Sequence, residues 1–257
     1  QSLLYVMWML VFSLGSFIVY RALHDRVPFY IYGGTSLVLL GAATAAELNG
    51  AALTIAYTSE VALLVLLTLA IVKNTRLAAY LSLLFALPLL LSIEHVDSVA
   101  WQSGIFHRDF FALLFLTVLM AGVAYALRTQ KDEQGASSHD DVRTMSTLLA
   151  TCASFGGLLL IWLVFHAGLS ERVCDLDGYY SCHTVPEYER ATMLTLILYT
   201  LIGLSTNIIG SQQGKKGLRI GGAVLLGFVI CHLLFIDVWN MELTGRIITF
   251  GAIGVLL

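Results

Sequence analysis

The run Ile220–Ile236 carries no formally charged residue, and it constrains this chain more than any other stretch. At about 1.5 Å per helical residue it covers most of a ~30 Å hydrocarbon core. Backbone that crosses such a core must satisfy its own hydrogen bonds, so a lone run of this kind is helical. Lys215, Lys216 and Arg219 open it, and a polar corner of Asp237, Trp239, Asn240, Glu242 and Arg246 closes it. A second apolar run, Ile247–Leu257, then returns. The tail therefore reads as a membrane hairpin.

The rest of the chain repeats this pattern. Of its 257 residues 58% are hydrophobic and 12% charged, whereas a soluble domain carries about 25% charged residues. Such composition spread over successive apolar runs means a polytopic membrane protein. The runs are continuously apolar rather than alternating, which predicts helices and excludes a barrel. The expected fold class is thus all-α, a transmembrane helical bundle. Runs at about 3–20, 29–46, 51–72, 77–93, 110–127, 145–169, 191–210, 220–236 and 247–257 predict about nine spans. A net charge of −3 offers no basic field for nucleic acid.

The chain is expected to have three parts: helices one to five over 1–127, a flexible cytoplasmic loop over 128–144, and helices six to nine over 145–257 with an external loop at 170–190. The loop after Arg128 is charged and lacks apolar periodicity. If Gln1 faces outside, alternate connections place ten Lys and Arg residues on the cytoplasmic side and Arg108, Arg172, Arg190 and Arg246 outside. That asymmetry predicts an external N-terminus and a cytoplasmic C-terminus. Cys174 and Cys182, in the external loop, are close enough in sequence to form a small disulfide ring in an oxidising compartment. The chain opens on Gln1 and ends within an apolar run, so a longer parent chain is expected.

The tail also carries a resemblance. Arg219 followed by Ile220-Gly221-Gly222, a polar residue five before Asp237, and Gly245-Arg246-Ile247-Ile248-Thr249-Phe250 with Gly251 and Gly254 form the pattern. It resembles the closing hairpin of a large bacterial family of predicted membrane proteins with a domain of unknown function. The likeness is clearest over 189–257 and weaker over 48–72, which includes Glu60. This chain has His232 where that family usually has lysine. The resemblance implies a long, many-spanning architecture and no particular reaction.

Candidate site residues fall into two groups. Glu60 lies inside the third apolar run, where an ionisable side chain is expensive and usually faces a partner or a transport path. His166 and His232 sit near the ends of two other runs; two histidines on different helices can hold a haem, but a lone intramembrane histidine is more often bonded within its bundle. The second group lies on the external side: Glu94, His95 and Asp97, with Asp237 and Arg246 from the tail corner. Carboxylates and histidines together suit acid–base or cation-binding work. Glu94, His95 and Asp97 are close neighbours, however, and helical neighbours do not share one face. Asp237 and Arg246 read first as an ion pair fixing the hairpin.

No nucleotide loop, nucleophile elbow or zinc motif occurs in the sequence. The expected function is therefore a non-enzymatic structural or assembly component of a bacterial envelope complex in the inner membrane, with lipids and protein partners and without cofactor or metal. Two alternatives are an ion-coupled transporter using Glu60 and a membrane-embedded enzyme acting on lipid-linked substrate at the outer face.

Overall fold

A computed structural model describes residues 2–23, 26–102, 104–129, 136–168, 170–174, 182–186 and 188–233. Helices dominate: α1 (Ser2–Leu23), α2 (Arg26–Glu47), α3 (Ala51–Leu67), α4 (Thr75–Leu81), α5 (Ala86–Val96), α6 (Arg108–Thr129), α7 (Ala136–Gly168), α8 (Tyr188–Gln212) and α9 (Lys216–His232). Among the described residues five stretches are long and apolar enough to cross a membrane: Ala51–Ala70, Thr75–Val96, Arg108–Thr129, Asp141–Gly168 and Ala191–Gln212. The helical class is as expected. The ninth expected run, 247–257, lies outside the described residues. A short antiparallel hairpin adds to the helices, with β1 (Ser170–Cys174) paired to β2 (Cys182–Pro186).

Local chemistry explains the helix ends. After α3 the helix loosens into a π-turn, Thr68–Val72, and stops at Lys73, whose φ is 53°. Asn74 then caps the next helix, its side-chain oxygen accepting from the Leu77 amide at 3.0 Å. The span from Thr75 to Val96 is not one regular helix: Ser82–Phe85 tighten into a 3₁₀ turn between α4 and α5. Pro88 sits in the first turn of α5 and has no amide proton to donate backwards, so the change of helix type precedes it. At the end of α8, the Lys215 amide bonds to Gly210 O and the Gly214 amide to Ser211 O, while Gly214 has a φ of 65°. This pair of bonds around a left-handed glycine is a Schellman stop, and it turns the chain directly into α9.

The chain divides into two compact units, Gln1–Leu163 and Val164–Leu257. In the first, α3 packs on α6 around Val65, Phe85, Met120, Val123, Leu127 and Leu149, none of them more than 2% exposed. α1 packs along α2, where Ser36 donates to Met9 O at 3.1 Å. α6 and α7 approach closely at Gly156: a methyl group there would lie 2.9 Å from Thr117 Oγ1.

In the second unit α8 packs against α9 through glycine. A Cβ on Gly222 would lie 2.6 Å from Gly203 O, and one on Gly210 would lie 2.6 Å from the Arg219 amide nitrogen. Such backbone proximity permits dense van der Waals contact where lipid removes any hydrophobic drive. The hairpin register sets Cys174 opposite Cys182. Their side chains, and with them the expected disulfide, lie outside the described residues.

Candidate functional site

Three helix ends meet in the first unit: the start of α3, the end of α5 and the start of α6. Each contributes one polar side chain. Asp109 stands in the first turn of α6, where unpaired amides favour a carboxylate, and His95 in the last turn of α5, where carbonyls favour a ring N–H. His95 Nδ1 lies 2.9 Å from Asp109 Oδ1, with side-chain exposures of 6% and 17%. His95 Nε2 lies 2.9 Å from Thr54 Oγ1 on α3. The Trp101 indole donates to the His95 carbonyl at 2.8 Å, filling one of the acceptors that the end of α5 leaves open.

This chain of groups works in either protonation state of the imidazole. With a neutral ring, Nδ1–H donates to Asp109 and Nε2 accepts from the Thr54 hydroxyl; with a charged ring, both nitrogens donate. Carboxylate, imidazole and hydroxyl in this order also activate nucleophiles in acyl-transfer enzymes. Here the threonine is only 1% exposed, and a substrate carbonyl has no access to its oxygen. The arrangement therefore acts on the helices: it joins three of them through two short polar bonds.

His107 forms the neighbouring layer. It precedes α6, and its Nδ1 accepts from the Phe110 amide at 3.2 Å, capping the helix. That bond leaves the proton on Nε2, which is buried without a partner among the described residues. Trp101 meets the ring edge-on, with centroids 4.3 Å apart and an interplanar angle of 84°. Burial holds the His107 imidazole below its usual range, against the opposing pull of Asp109.

The other expected site residues are dispersed. Glu94 and Asp97 are exposed, on either side of the buried His95. Glu60 is half-buried and faces α2, where Thr44 donates to its Oε1 at 2.6 Å. One turn earlier, the Tyr57 hydroxyl donates to Gly41 O at 2.8 Å. His166 meets the Thr192 hydroxyl at 3.3 Å, and the His232 ring lies 6.2 Å from that of Phe228. Asp237 and Arg246 fall outside the described residues. Among the described residues no group of three His, Cys, Asp or Glu side chains is placed to hold a metal ion.

Sequence reading selected His95 but missed both of its partners. Thr54 lies 41 residues away and Asp109 on a third helix, so no local spacing marks the set. The usable signals were positional: an acid in the first turn of a helix and a tryptophan at the preceding corner.

No curated protein and no solved structure matches this chain. One family does, under the description Predicted membrane protein (DUF2339), and its match extends over residues 1–257. The chain belongs to that family of predicted membrane proteins.

Proposed function

We propose that this family member is a membrane-embedded structural or assembly component, a helical platform within a larger complex of a bacterial inner membrane. The observation that carries the reading is the His95 cluster: both ring nitrogens are engaged by neighbouring helices and the hydroxyl at its end is closed off. Thr44–Glu60 and Tyr57–Gly41 repeat the pattern between α2 and α3. Between 22% and 39% of each span is buried, which leaves wide apolar flanks for lipid and for other helices. About nine spans, an external N-terminus, a cytoplasmic C-terminus and the division at 1–127, 128–144 and 145–257 belong to the same reading.

The external hairpin of this platform carries a Cys174–Cys182 disulfide. Support comes from the register, since directly opposed antiparallel positions stand about 4.5–5.5 Å apart at Cα, within reach of a disulfide. Alkylation of the denatured chain before and after reduction tests this: two labels add without reductant, on Cys152 and Cys231, and four after reduction. Full labelling without reductant overturns it.

The platform reading is tested by purifying the full chain in mild detergent and identifying what co-purifies by mass spectrometry. A protein partner at fixed stoichiometry supports the reading. Ion flux in proteoliposomes that vanishes in Glu60→Gln would overturn it in favour of transport. The second reading is an enzyme acting on lipid-linked material at the outer face; it requires conversion of such a substrate by the purified chain and its loss in His95→Gln.

A further inference from the structure

α6 and α7 pack closely at Gly156, but nearer the C-terminal end of α6 they part and leave a groove of about 290 Å³. Ala124 and Ala153 form its floor and Ala121 and Ala150 its sides. Ser154 also lines it, but its hydroxyl donates to Ala150 O at 2.7 Å. A slot walled by alanines accepts a slender apolar chain and offers no hydrogen bond along its length. At about 30 Å³ for each water-sized unit, it holds roughly ten such units, comparable to a run of methylenes.

The end of the groove has different chemistry. Tyr125, 71% exposed, and Arg128 line it in the last turn of the apolar span, which ends at Thr129. A tyrosine and an arginine at this depth lie where bilayer headgroups do. Arg76, by comparison, is held by Asp141 at 3.1 Å, whereas Arg128 has no carboxylate partner among the described residues.

We propose that this groove binds one anionic phospholipid, with an acyl chain along the alanines and the phosphate on Arg128. The charge decides the class of lipid. A tail leaving bulk lipid for the groove exchanges one hydrocarbon environment for another, so shape alone gives little preference. The guanidinium can form forked hydrogen bonds to the phosphate of either headgroup, but it prefers the anionic one, which lacks the choline cation that offsets the phosphate charge in the zwitterionic lipid.

The test is native mass spectrometry of the full chain released from nanodiscs holding equal phosphatidylglycerol and phosphatidylcholine. The expected result is preferential retention of one phosphatidylglycerol. Arg128→Gln reduces that preference about fivefold, the worth of one cation near a headgroup, and Arg128→Lys keeps most of it. Ala121→Phe, a change at an exposed position, fills the slot and lowers retention of both lipids while the helical circular dichroism stays unchanged. Arg143→Gln, exposed and outside the groove, leaves the preference intact. Equal retention of the two lipids by the unaltered chain overturns the proposal. So does an Arg143→Gln effect as large as that of Arg128→Gln, which would assign the preference to surface charge in general.

Discussion

The meeting of α3, α5 and α6 and the α8–α9 hairpin solve one problem by opposite means. In the first, side chains reach across: an imidazole spans from Asp109 to Thr54. In the second, side chains are removed, and glycines at 203, 210 and 222 let backbone touch backbone. Both suit a membrane, where apolar side chains gain little by leaving lipid and helices associate through packing and polar bonds. The difference lies in tolerance. A polar bond can be replaced by an apolar pair of matching shape, whereas a contact made by the absence of a Cβ admits no larger residue.

The largest effect is expected from His95→Ala. It leaves a half-buried carboxylate and a buried hydroxyl unpaired and a cavity where the ring was, a loss of about 3 kcal/mol in thermal unfolding of the detergent-solubilised chain. Adding Asp109→Ala should recover part of that loss, since the stranded charge goes too. No recovery would show that packing around the ring, and not the polar chain, joins these helices.

Gly222→Ala comes next, with a destabilisation of about 2 kcal/mol from forcing a methyl against Gly203 O. Its control is adjacent: a Cβ on Gly221 meets nothing within 4 Å, so Gly221→Ala should be neutral or slightly stabilising. Equal losses from the two changes would break the contrast: helix propensity favours alanine at both positions, so the contact with Gly203 O would no longer account for the loss at Gly222. A smaller loss, about 1 kcal/mol, is expected of Thr54→Val, which removes one hydrogen bond and nearly preserves shape.

The smallest effect is a slope with pH at His107. Its folded form resists protonation, so below about pH 6.5 the unfolded ring binds the proton first and stability falls. Above that pH the ring is neutral in both states and the contribution is constant. His107→Asn keeps an acceptor for the Phe110 amide and should flatten the slope below about pH 6.5. An unchanged slope in thermal melts would assign the acid sensitivity to another group.

The helices were legible because hydrocarbon imposes long uncharged runs. α2 begins and ends within three residues of the run read at 29–46, and α3 with its π-turn ends at Val72 as that run does. α7 begins earlier than its apolar run, at Ala136, because a helix can continue through polar residues where hydropathy sees only a loop. The β hairpin at 170–186 was not foreseen, since its strands are short and mixed in character. Of the polar residues, Glu60 announced itself by being costly where it lies, and its bond to Thr44 provides the sort of partner that cost demands. The Asp109–His95–Thr54 chain could not be found in the same way. It is assembled from three helices, and each member alone is an ordinary residue at a helix end.

The 3₁₀ turn at Ser82–Phe85 has a consequence for angular phase. Each of its residues advances about 120° around the axis, against about 100° in an α-helix, so four residues rotate the whole of α5 by roughly 80°. Every side chain beyond Phe85, including His95, is therefore presented about a quarter-turn away from where an uninterrupted helix would place it. The alignment of this imidazole with Thr54 and Asp109 is thus set some ten residues upstream, in the turn before Pro88.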